Sequence, residues 1–254
     1  MQCWHVDGLV HLRFNRPQSL NAIDVAMAQA FARACHAIAA EPGVRVVVVS
    51  GAGRAFMAGG DLAAMQANPV TVTHELITCM HDGLRALSTV QAPVVAALHG
   101  AVAGAGLGVA LACDLSIAAE DTRFNVAYPR IGATPDCGTS FGLLRAVGLR
   151  KAMELCLLSD PFDAAQALRL GLVNQVVPAA ALQQEVNALA GRLAAAAPIA
   201  LAGIKRLLHS ASQRDYAGQL DAEAQAFAGC ARSADFAEGM SAFLQRRKPE
   251  FQGV

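Results

Sequence analysis

The stretch that decides the fold is Gly51-Ala52-Gly53-Arg54-Ala55-Phe56-Met57-Ala58-Gly59-Gly60-Asp61-Leu62, which follows the β-branched run 44–50 and holds four glycines. A second stretch, His99-Gly100-Ala101-Val102-Ala103-Gly104-Ala105-Gly106-Leu107-Gly108, follows the apolar run 94–98. Small side chains let a ligand approach the backbone, whose free N–H groups donate to carbonyl or phosphate oxygens. Two such turns after neighbouring strands predict a pocket for one oxygen that gains negative charge, an oxyanion hole.

Outside these turns, β-branched runs alternate with alanine-rich helical stretches, the pattern of strands joined by helical crossovers. The predicted fold class is therefore α/β. Beyond Pro178 no strand pattern remains, so we expect a core over residues 1–197 and a helical region over 198–254. The predicted strands are 9–14, 44–50, 94–98, 115–118 and 173–177, and the predicted helices are 24–39 with Asp24 as N-cap, 72–87, 181–196, 198–212, 216–228 and 235–246.

Composition excludes several classes of protein. With 54% hydrophobic and 16% charged residues, the chain of 254 residues can bury a large core and is not a disordered tail. Twenty basic and twenty acidic residues leave no net charge, so neither nucleic acid nor an anionic membrane is an expected partner. Apolar runs stop well short of the ~20 residues that span a bilayer, and seven scattered cysteines without a Cys-x-x-Cys pair predict a soluble, reduced, cytoplasmic protein.

No motif in the sequence predicts a separate cofactor or a metal. The second glycine turn lacks the third glycine of a dinucleotide fingerprint, and Gly-Lys-Ser/Thr is absent. The seven histidines are dispersed without the spacing of metal ligands.

Several motifs in order along the chain resemble those of one family. They are Asn15 to Ala22, Arg54 to Leu62, Gly100 to Gly108, Ala167 to Pro178, Pro198 to Lys205 and Phe236 to Pro249. Over essentially its whole length the chain resembles the crotonase, or enoyl-CoA hydratase/isomerase, superfamily. The resemblance implies a spiral of strand-strand-helix units with a C-terminal helical trimerisation region, assembled as homotrimers or as hexamers that are dimers of trimers. It also implies an acyl-CoA substrate whose CoA belongs to the substrate.

The resemblance also implies roles for particular residues. The backbone N–H groups of Gly60 and Ala105 would hold the thioester oxygen, and such donors stabilise an enolate more than a ground-state carbonyl. Asp61, which the family places in the CoA site, also suits a backbone cap. The implied CoA-binding set is Arg54, Ala58, Asp61 and Leu62, with Phe243 and Arg246 reaching CoA from the C-terminal region, across a subunit boundary.

The two glutamates typical of hydratases are absent. Aligned motifs place Gly108 and Tyr128 at those positions. Water addition to a double bond needs a base for water and a proton donor for the α-carbon, and neither residue replaces a carboxylate. The sequence therefore argues against hydratase activity.

Asp136 is the remaining candidate acid. Enoyl-CoA isomerases place a carboxylate at or near this position, and one carboxylate suffices to carry a proton between the α and γ carbons. Equally, Asp136 could cap the helix predicted to start near Ser140. Thr139 and Ser140 are candidates to tune Asp136 by hydrogen bonding, whereas Cys137 is read as a packing residue. The leading hypothesis is an isomerase that uses Gly60, Ala105 and Asp136.

Two alternatives stay open. In an aryl-CoA dehalogenase-like enzyme, Asp136 would attack the ring, His81 would activate water, and Tyr128 would match an aromatic position. Thr73, Met80 and Gly60 stand where that branch has large rings, and His81 also reads as a helix-surface histidine beside Asp82. The third hypothesis is a non-catalytic CoA-thioester binder. The acyl tunnel is expected between residues 63 and 84.

Overall fold

The computed structural model describes residues 1–66 and 68–254, and its strands form two sheets. The strands are β1 (Gln2–Val6), β2 (Leu9–Phe14), β3 (Val46–Gly51), β4 (Val94–Leu98), β5 (Ala101–Ala103), β6 (Leu115–Ala119), β7 (Arg123–Asn125), β8 (Phe162–Asp163) and β9 (Gln175–Val177). The larger sheet has the order β1-β2-β3-β4-β6-β9, in which β1 and β2 are antiparallel and the other pairs are parallel. The smaller sheet has the order β5-β7-β8.

Helices cover both faces of the larger sheet. Along β3, Val47 and Val49 face the main core, whereas Val46 and Val48 face a second cluster with Val186, because successive side chains of a strand point to opposite faces. The helices are α1 (Val25–Ala40), α2 (Leu62–Gln66), α3 (Pro69–Thr89), α4 (Ala105–Ala112), α5 (Thr139–Leu158), α6 (Ala164–Arg169), α7 (Leu182–Ala194), α8 (Pro198–Ser210), α9 (Tyr216–Ala231) and α10 (Ala234–Gln245). Helices α1 and α3 pack together in the main core, and α7 covers the other face of the larger sheet.

The chain repeats a strand-strand-helix unit, as the family resemblance implies. Strands β4 and β6 belong to the larger sheet, while β5 and β7 that follow them belong to the smaller one. Helix α4 follows β5, and α5 follows β7. Because β3, β4 and β6 are parallel neighbours, the segments that leave their carboxyl ends meet at one edge of the sheet.

Most predicted elements are confirmed to within a few residues. Asp24 caps α1 as expected, accepting a hydrogen bond from Met27 N. Helix α3 begins earlier than predicted, at Pro69, because the Asn68 side chain caps it. Four strands, β1, β5, β7 and β8, were not predicted from the sequence. All five side chains of β1 are exposed, so it shows no apolar alternation, and β5, β7 and β8 have only three, three and two residues.

The C-terminal helices are followed by a tail that returns to the core. Helix α9 packs against α8 and α10. The buried carboxylate of Asp235 accepts from Gln252 N at 2.7 Å and from Gly253 N at 2.9 Å, and Arg45 donates to Phe251 O at 3.2 Å. Within the described ranges, no single helix has the length and hydropathy of a membrane span; the bent pair 179–194 and 198–213 has them only when taken together.

Candidate active site

The two glycine turns are held side by side by backbone pairing. Met57 N donates to Ala101 O at 3.0 Å, and Ala103 N donates to Met57 O at 2.9 Å. A methyl group placed on Gly106 would lie 2.9 Å from Cβ of Met57, so the two turns come this close only because position 106 is a glycine. The two turns therefore adjoin, and that they serve one pocket stays a prediction.

Gly60 and Ala105 each present a free backbone N–H. A parallel bridge joins Ile23 to the first turn through Gly59 O and the N–H of Asp61, which leaves the N–H of Gly60 unused. Ala105 is the first residue of α4, where N–H groups have no partner in the helix. Among the described residues neither N–H has an acceptor. Two free N–H groups on adjoining turns are the donors that an oxyanion hole needs, and that these two serve one oxygen stays a prediction.

Two residues that the sequence reading left without a role brace the first turn. The amide of buried Asn21 donates to Ala52 O at 2.8 Å and to Ala55 O at 2.7 Å. Arg16 forms an ion pair with Asp61 at 3.0 Å. Both residues lie in the Asn15 to Ala22 motif, which the sequence analysis identified. Their contacts could not be found from the sequence, because they join residues 31 to 45 positions apart along the chain.

The carboxylate of Asp61 makes structural contacts. Burial alone would raise the pKa of its carboxyl, but the N–H of Ala64 and the Arg16 guanidinium hold that pKa below its usual range. Ala64 N donates to Asp61 Oδ1 at 3.1 Å, at the start of α2. The cap-and-brace reading of Asp61 fits this arrangement, and its carboxylate is not free to react.

Asp136 faces Tyr128. The phenol donates to Asp136 Oδ1 at 2.5 Å. Burial raises the pKa of the Tyr128 phenol and the neighbouring Asp136 carboxylate raises it further, so Tyr128 keeps its proton and acts as the donor. A methyl group on Gly104 would lie 4.0 Å from Cζ of Tyr128, which places the phenol beside the residue that precedes Ala105. The Tyr128–Asp136 pair therefore lies on the side of the second turn that carries Gly104.

Tyr128 owes its position to a strained turn. It follows Ala127, whose φ of 64° is in the left-handed region that non-glycine residues rarely adopt. The N–H of Ala127 donates to Asn125 Oδ1 at 2.6 Å and to Ser159 Oγ at 3.1 Å. These contacts hold the turn and direct the phenol toward Asp136.

A second left-handed turn positions Asp136 itself. Cys137 and Gly138 have φ values of 49° and 72°. The N–H of Cys137 donates to Nε2 of His81 at 3.1 Å. Because that nitrogen accepts, the imidazole carries its proton on Nδ1. His81 thus anchors the loop that carries Asp136.

The reading of His81 as a surface histidine beside Asp82 is wrong. His81 is partly buried and contacts the Asp136 loop, whereas Asp82 pairs with Nε2 of His36 at 2.9 Å. The correction follows from helix geometry, because neighbours in sequence point about 100° apart around the axis.

Helix capping does not explain Asp136. Its backbone oxygen accepts from Thr139 N at 2.9 Å, but α5 has no side-chain cap at its N-cap residue, Gly138. Cys137 is buried, and burial together with nearby Asp136 raises the pKa of its thiol, which agrees with the reading of a packing residue rather than a nucleophile.

At Gly108 the fold leaves no room for a side chain. A methyl group there would lie 2.6 Å from Cys137 O and 2.7 Å from Thr139 Oγ1. The Asp136 loop therefore occupies the space that a glutamate at position 108 would need.

The expected CoA-binding residues fall into two groups. Arg54, Ala58 and Leu62 lie on the first turn with Arg54 and Leu62 exposed. Phe243 is 82% exposed, and Arg246 caps the end of α10. No hydrogen bond or ion pair of the described residues joins Phe243 or Arg246 to the first turn. In the part of the chain that the structure describes, no three His, Cys, Asp or Glu side chains are grouped to hold a metal.

Comparison with known proteins shows the family of this chain. The family model described as enoyl-CoA hydratase/isomerase matches residues 5–254. The chain belongs to the enoyl-CoA hydratase/isomerase family. It is therefore an acyl-CoA enzyme of that family, and the crotonase fold expected from the sequence motifs is confirmed.

Relatives within the enoyl-CoA hydratase/isomerase family include proteins named as hydratases and proteins named as isomerases. A Rhodobacter capsulatus protein named "Probable enoyl-CoA hydratase" is 37% identical over 247 residues, covering 97% of this chain and 95% of the relative. The 1,2-epoxyphenylacetyl-CoA isomerase of Escherichia coli is 35% identical over 254 residues, covering 98% and 97%. The crystal structure of an enoyl-CoA hydratase from a Polaromonas species has a TM-score of 0.93 at 35% identity, with 99% of each chain covered.

Proposed function

We propose that this chain is an acyl-CoA double-bond isomerase in which Asp136 carries the proton. The observation that carries the proposal is one carboxylate, that of Asp136, held by a phenol whose ring lies beside Gly104, the residue before the free N–H of Ala105. Position 108, where the family resemblance places a hydratase glutamate, is a glycine whose surroundings are filled.

The proposed reaction needs no second acid. The thioester oxygen of a 3-enoyl-CoA accepts hydrogen bonds from Gly60 and Ala105. Asp136 removes a proton from the α-carbon, and the electron pair forms a dienolate whose negative charge gathers on that oxygen. Protonated Asp136 then returns the proton to the γ-carbon, which yields the conjugated 2-enoyl-CoA and restores the carboxylate.

Because of Tyr128, the two carboxylate oxygens of Asp136 have different roles. Its phenol holds Oδ1, so Oδ2 is the oxygen left to take the substrate proton. Since the raised pKa keeps the phenol protonated, Tyr128 acts as a fixed donor and leaves the proton transfer to Asp136.

The relatives' names bear on the proposal in two ways. The isomerase name of the 35% identical Escherichia coli relative supports isomerisation. The hydratase name of the Rhodobacter relative requires that water addition be tested as well. The absence of a carboxylate at positions 108 and 128 favours isomerisation here.

The deciding experiment incubates the protein and Asp136→Ala with a 3-enoyl-CoA in deuterated water. Conjugation is followed optically and deuterium by mass spectrometry, and Asp160→Ala, an exposed aspartate, is the matched control. We expect conjugation to fall ~10²–10⁴-fold in Asp136→Ala alone, the usual contribution of a general base. Unchanged conjugation in that variant would reject the proposal. Thioester binding with neither conjugation nor α-deuteration in the parent would favour the binder.

A second candidate is aryl-CoA substitution with Asp136 as nucleophile. The closeness of His81 to the Asp136 loop favours it, because that reaction needs a histidine near the aspartate. However, Nε2 of His81 accepts from Cys137 and is not free to activate water. A covalent adduct on Asp136 after single turnover with a halogenated aroyl-CoA, detected by mass spectrometry, would decide for this candidate.

We further propose that the chain forms homotrimers or hexamers through residues 198–254 and α5. Both regions leave large apolar side chains uncovered, which is typical of surfaces buried on assembly. In the assembly, Phe243 and Arg246 would reach CoA across a subunit boundary, with Arg54, Ala58 and Leu62 contributing from the first turn. Light scattering should give a molecular mass three or six times the chain mass of 26.3 kDa. A mass equal to that of one chain would reject the proposed assembly. The exposed apolar residues include Phe141, Leu149, Leu157, Phe227, Phe243 and Leu244.

A further inference from the structure

Thr139 carries a buried hydroxyl that has no hydrogen-bond partner. The residue is 0% exposed, and its Oγ1 has neither donor nor acceptor of acceptable geometry among the described residues. Buried polar groups are almost always paired, so an unpaired one in an otherwise well-packed site asks for a functional explanation.

The hydroxyl lies between α4 and the Asp136 loop. Thr139 is the first residue of α5, and its Oγ1 would lie 2.7 Å from a methyl group on Gly108. Only a glycine at position 108 leaves room for it there. Thr139 thus reaches into the site through the space that a side chain at position 108 would fill.

Tyr128 and Thr139 meet at Asp136. Thr139 N donates to Asp136 O at 2.9 Å, and the Tyr128 phenol donates to Asp136 Oδ1. Gly104, beside the Tyr128 ring, and Gly108, beside Thr139 Oγ1, are one helical turn apart. Burial and Asp136 raise the pKa of the phenol, whereas the side chain of Thr139 acts to lower it, as a donor to the phenol oxygen does. A hydrogen bond between them requires a small rotation about the Cα–Cβ bond of Thr139, which moves Oγ1 toward the phenol oxygen.

We propose that Thr139 is a positioning residue whose hydroxyl donates to the phenol oxygen of Tyr128 and so orients the Tyr128–Asp136 pair. The inference rests on the proposed function for its catalytic meaning. Thr139 donates to Tyr128, and Tyr128 donates to Asp136 Oδ1. Hydrogen bonds in such a chain polarise one another, so Thr139 strengthens the hold on Oδ1 while Oδ2 stays free.

Nuclear magnetic resonance tests the contact without substrate. The chain has two tyrosines, and Tyr216 is 80% exposed, so Tyr216→Phe leaves Tyr128 as a single ¹³Cζ-labelled phenol. In that background we expect Thr139→Val, which keeps the shape, and Thr139→Ala to move the Tyr128 Cζ resonance. Thr139→Ser should keep it in place, and Thr89→Val, the same change at an exposed threonine, should not move it.

Kinetics with a 3-enoyl-CoA supplies the second readout. Thr139→Val should lower kcat about tenfold, the rate equivalent of one hydrogen bond, with KM within about twofold. Thr139→Ser should restore kcat. The inference is overturned if both hydroxyl-free variants leave the Cζ resonance unmoved, or if Thr139→Ser behaves like Thr139→Val. If the parent protein isomerises nothing, the proposed function fails, and the resonance still decides whether Thr139 bonds to Tyr128.

Discussion

The two sides of the site are built from different parts of the chain. The donor side, Gly60 and Ala105, consists of backbone N–H groups on turns that directly follow β3 and β4–β5. The carboxylate side consists of Asp136, Tyr128 and His81, which come from three separate segments and meet through side chains.

The two sides should respond differently to changes of sequence. Backbone donors tolerate sequence change as long as the turns keep their glycines, so they can serve any thioester oxygen. The acid depends on a few side chains and on the room left for them, so exchanging those residues can change the reaction on the same fold. The following predictions test that division, beginning with the largest effect.

Gly108→Glu should abolish most of the activity without creating a hydratase. Its side chain would collide with Cys137 O, 2.6 Å from a methyl group at that position, and would displace the Asp136 loop. A shift of ~1 Å in a catalytic group can cost about 10²-fold in rate. Isomerase and hydratase assays measure both activities, and Gly191→Glu, at an exposed position with nothing within 4 Å, is the control. Efficient hydration by Gly108→Glu would contradict this account.

Tyr128→Phe should lower kcat by about 10- to 100-fold, because it removes one charge-assisted hydrogen bond from Asp136. KM for the enoyl-CoA should change little, since the donor side is untouched. Steady-state kinetics measures both constants, with Tyr216→Phe as the matched change at an exposed tyrosine. A larger change in KM than in kcat would place Tyr128 in substrate binding instead.

His81→Leu should lower kcat about fivefold, since it removes the acceptor for Cys137 N and loosens the Asp136 loop. His81→Gln, which keeps an acceptor, should lie closer to the parent. His36→Leu, at an exposed histidine that contacts Asp82, controls for loss of a histidine. If His81→Gln is as inactive as His81→Leu, the imidazole has a chemical role beyond anchoring the loop.

Asp61→Asn, on the donor side, should change stability more than rate. Loss of the Arg16 ion pair should lower the free energy of unfolding by about 1–2 kcal/mol at neutral pH, with kcat within about twofold. The folded-state pKa of Asp61 lies below its unfolded value, so this stabilisation is present above the unfolded pKa and is lost as pH falls through the folded pKa.

Urea unfolding of the parent protein and of Asp61→Asn, at one protein concentration and from pH 7 down to pH 3, tests this prediction. The difference between their free energies of unfolding should be constant near neutral pH and should become smaller below the usual range of carboxyl pKa values. A difference that stays constant to pH 3 would show that the ionised carboxylate is not its source.

The two turns of the donor side could be predicted from the sequence, whereas Gly60 and Ala105 were assigned from the family resemblance. Glycine-rich turns after apolar runs are local features, and a backbone N–H needs no particular side chain to become a donor. The carboxylate side could be predicted only in part. Asp136 was identifiable from its motif, but the contact between His81 and Cys137 joins positions 56 residues apart, and no local pattern encodes it.

The sequence by itself determined the α/β class, the long strands, most helices, the paired turns and the candidate acid, because these follow from local periodicity, capping and glycine content. Only the tertiary structure decided that Tyr128 holds Asp136, that His81 anchors its loop and that Gly108 makes room for Thr139. The physical reason is that a side-chain contact depends on the distance and direction that packing sets between separate elements, and the residues themselves carry no mark of their partners.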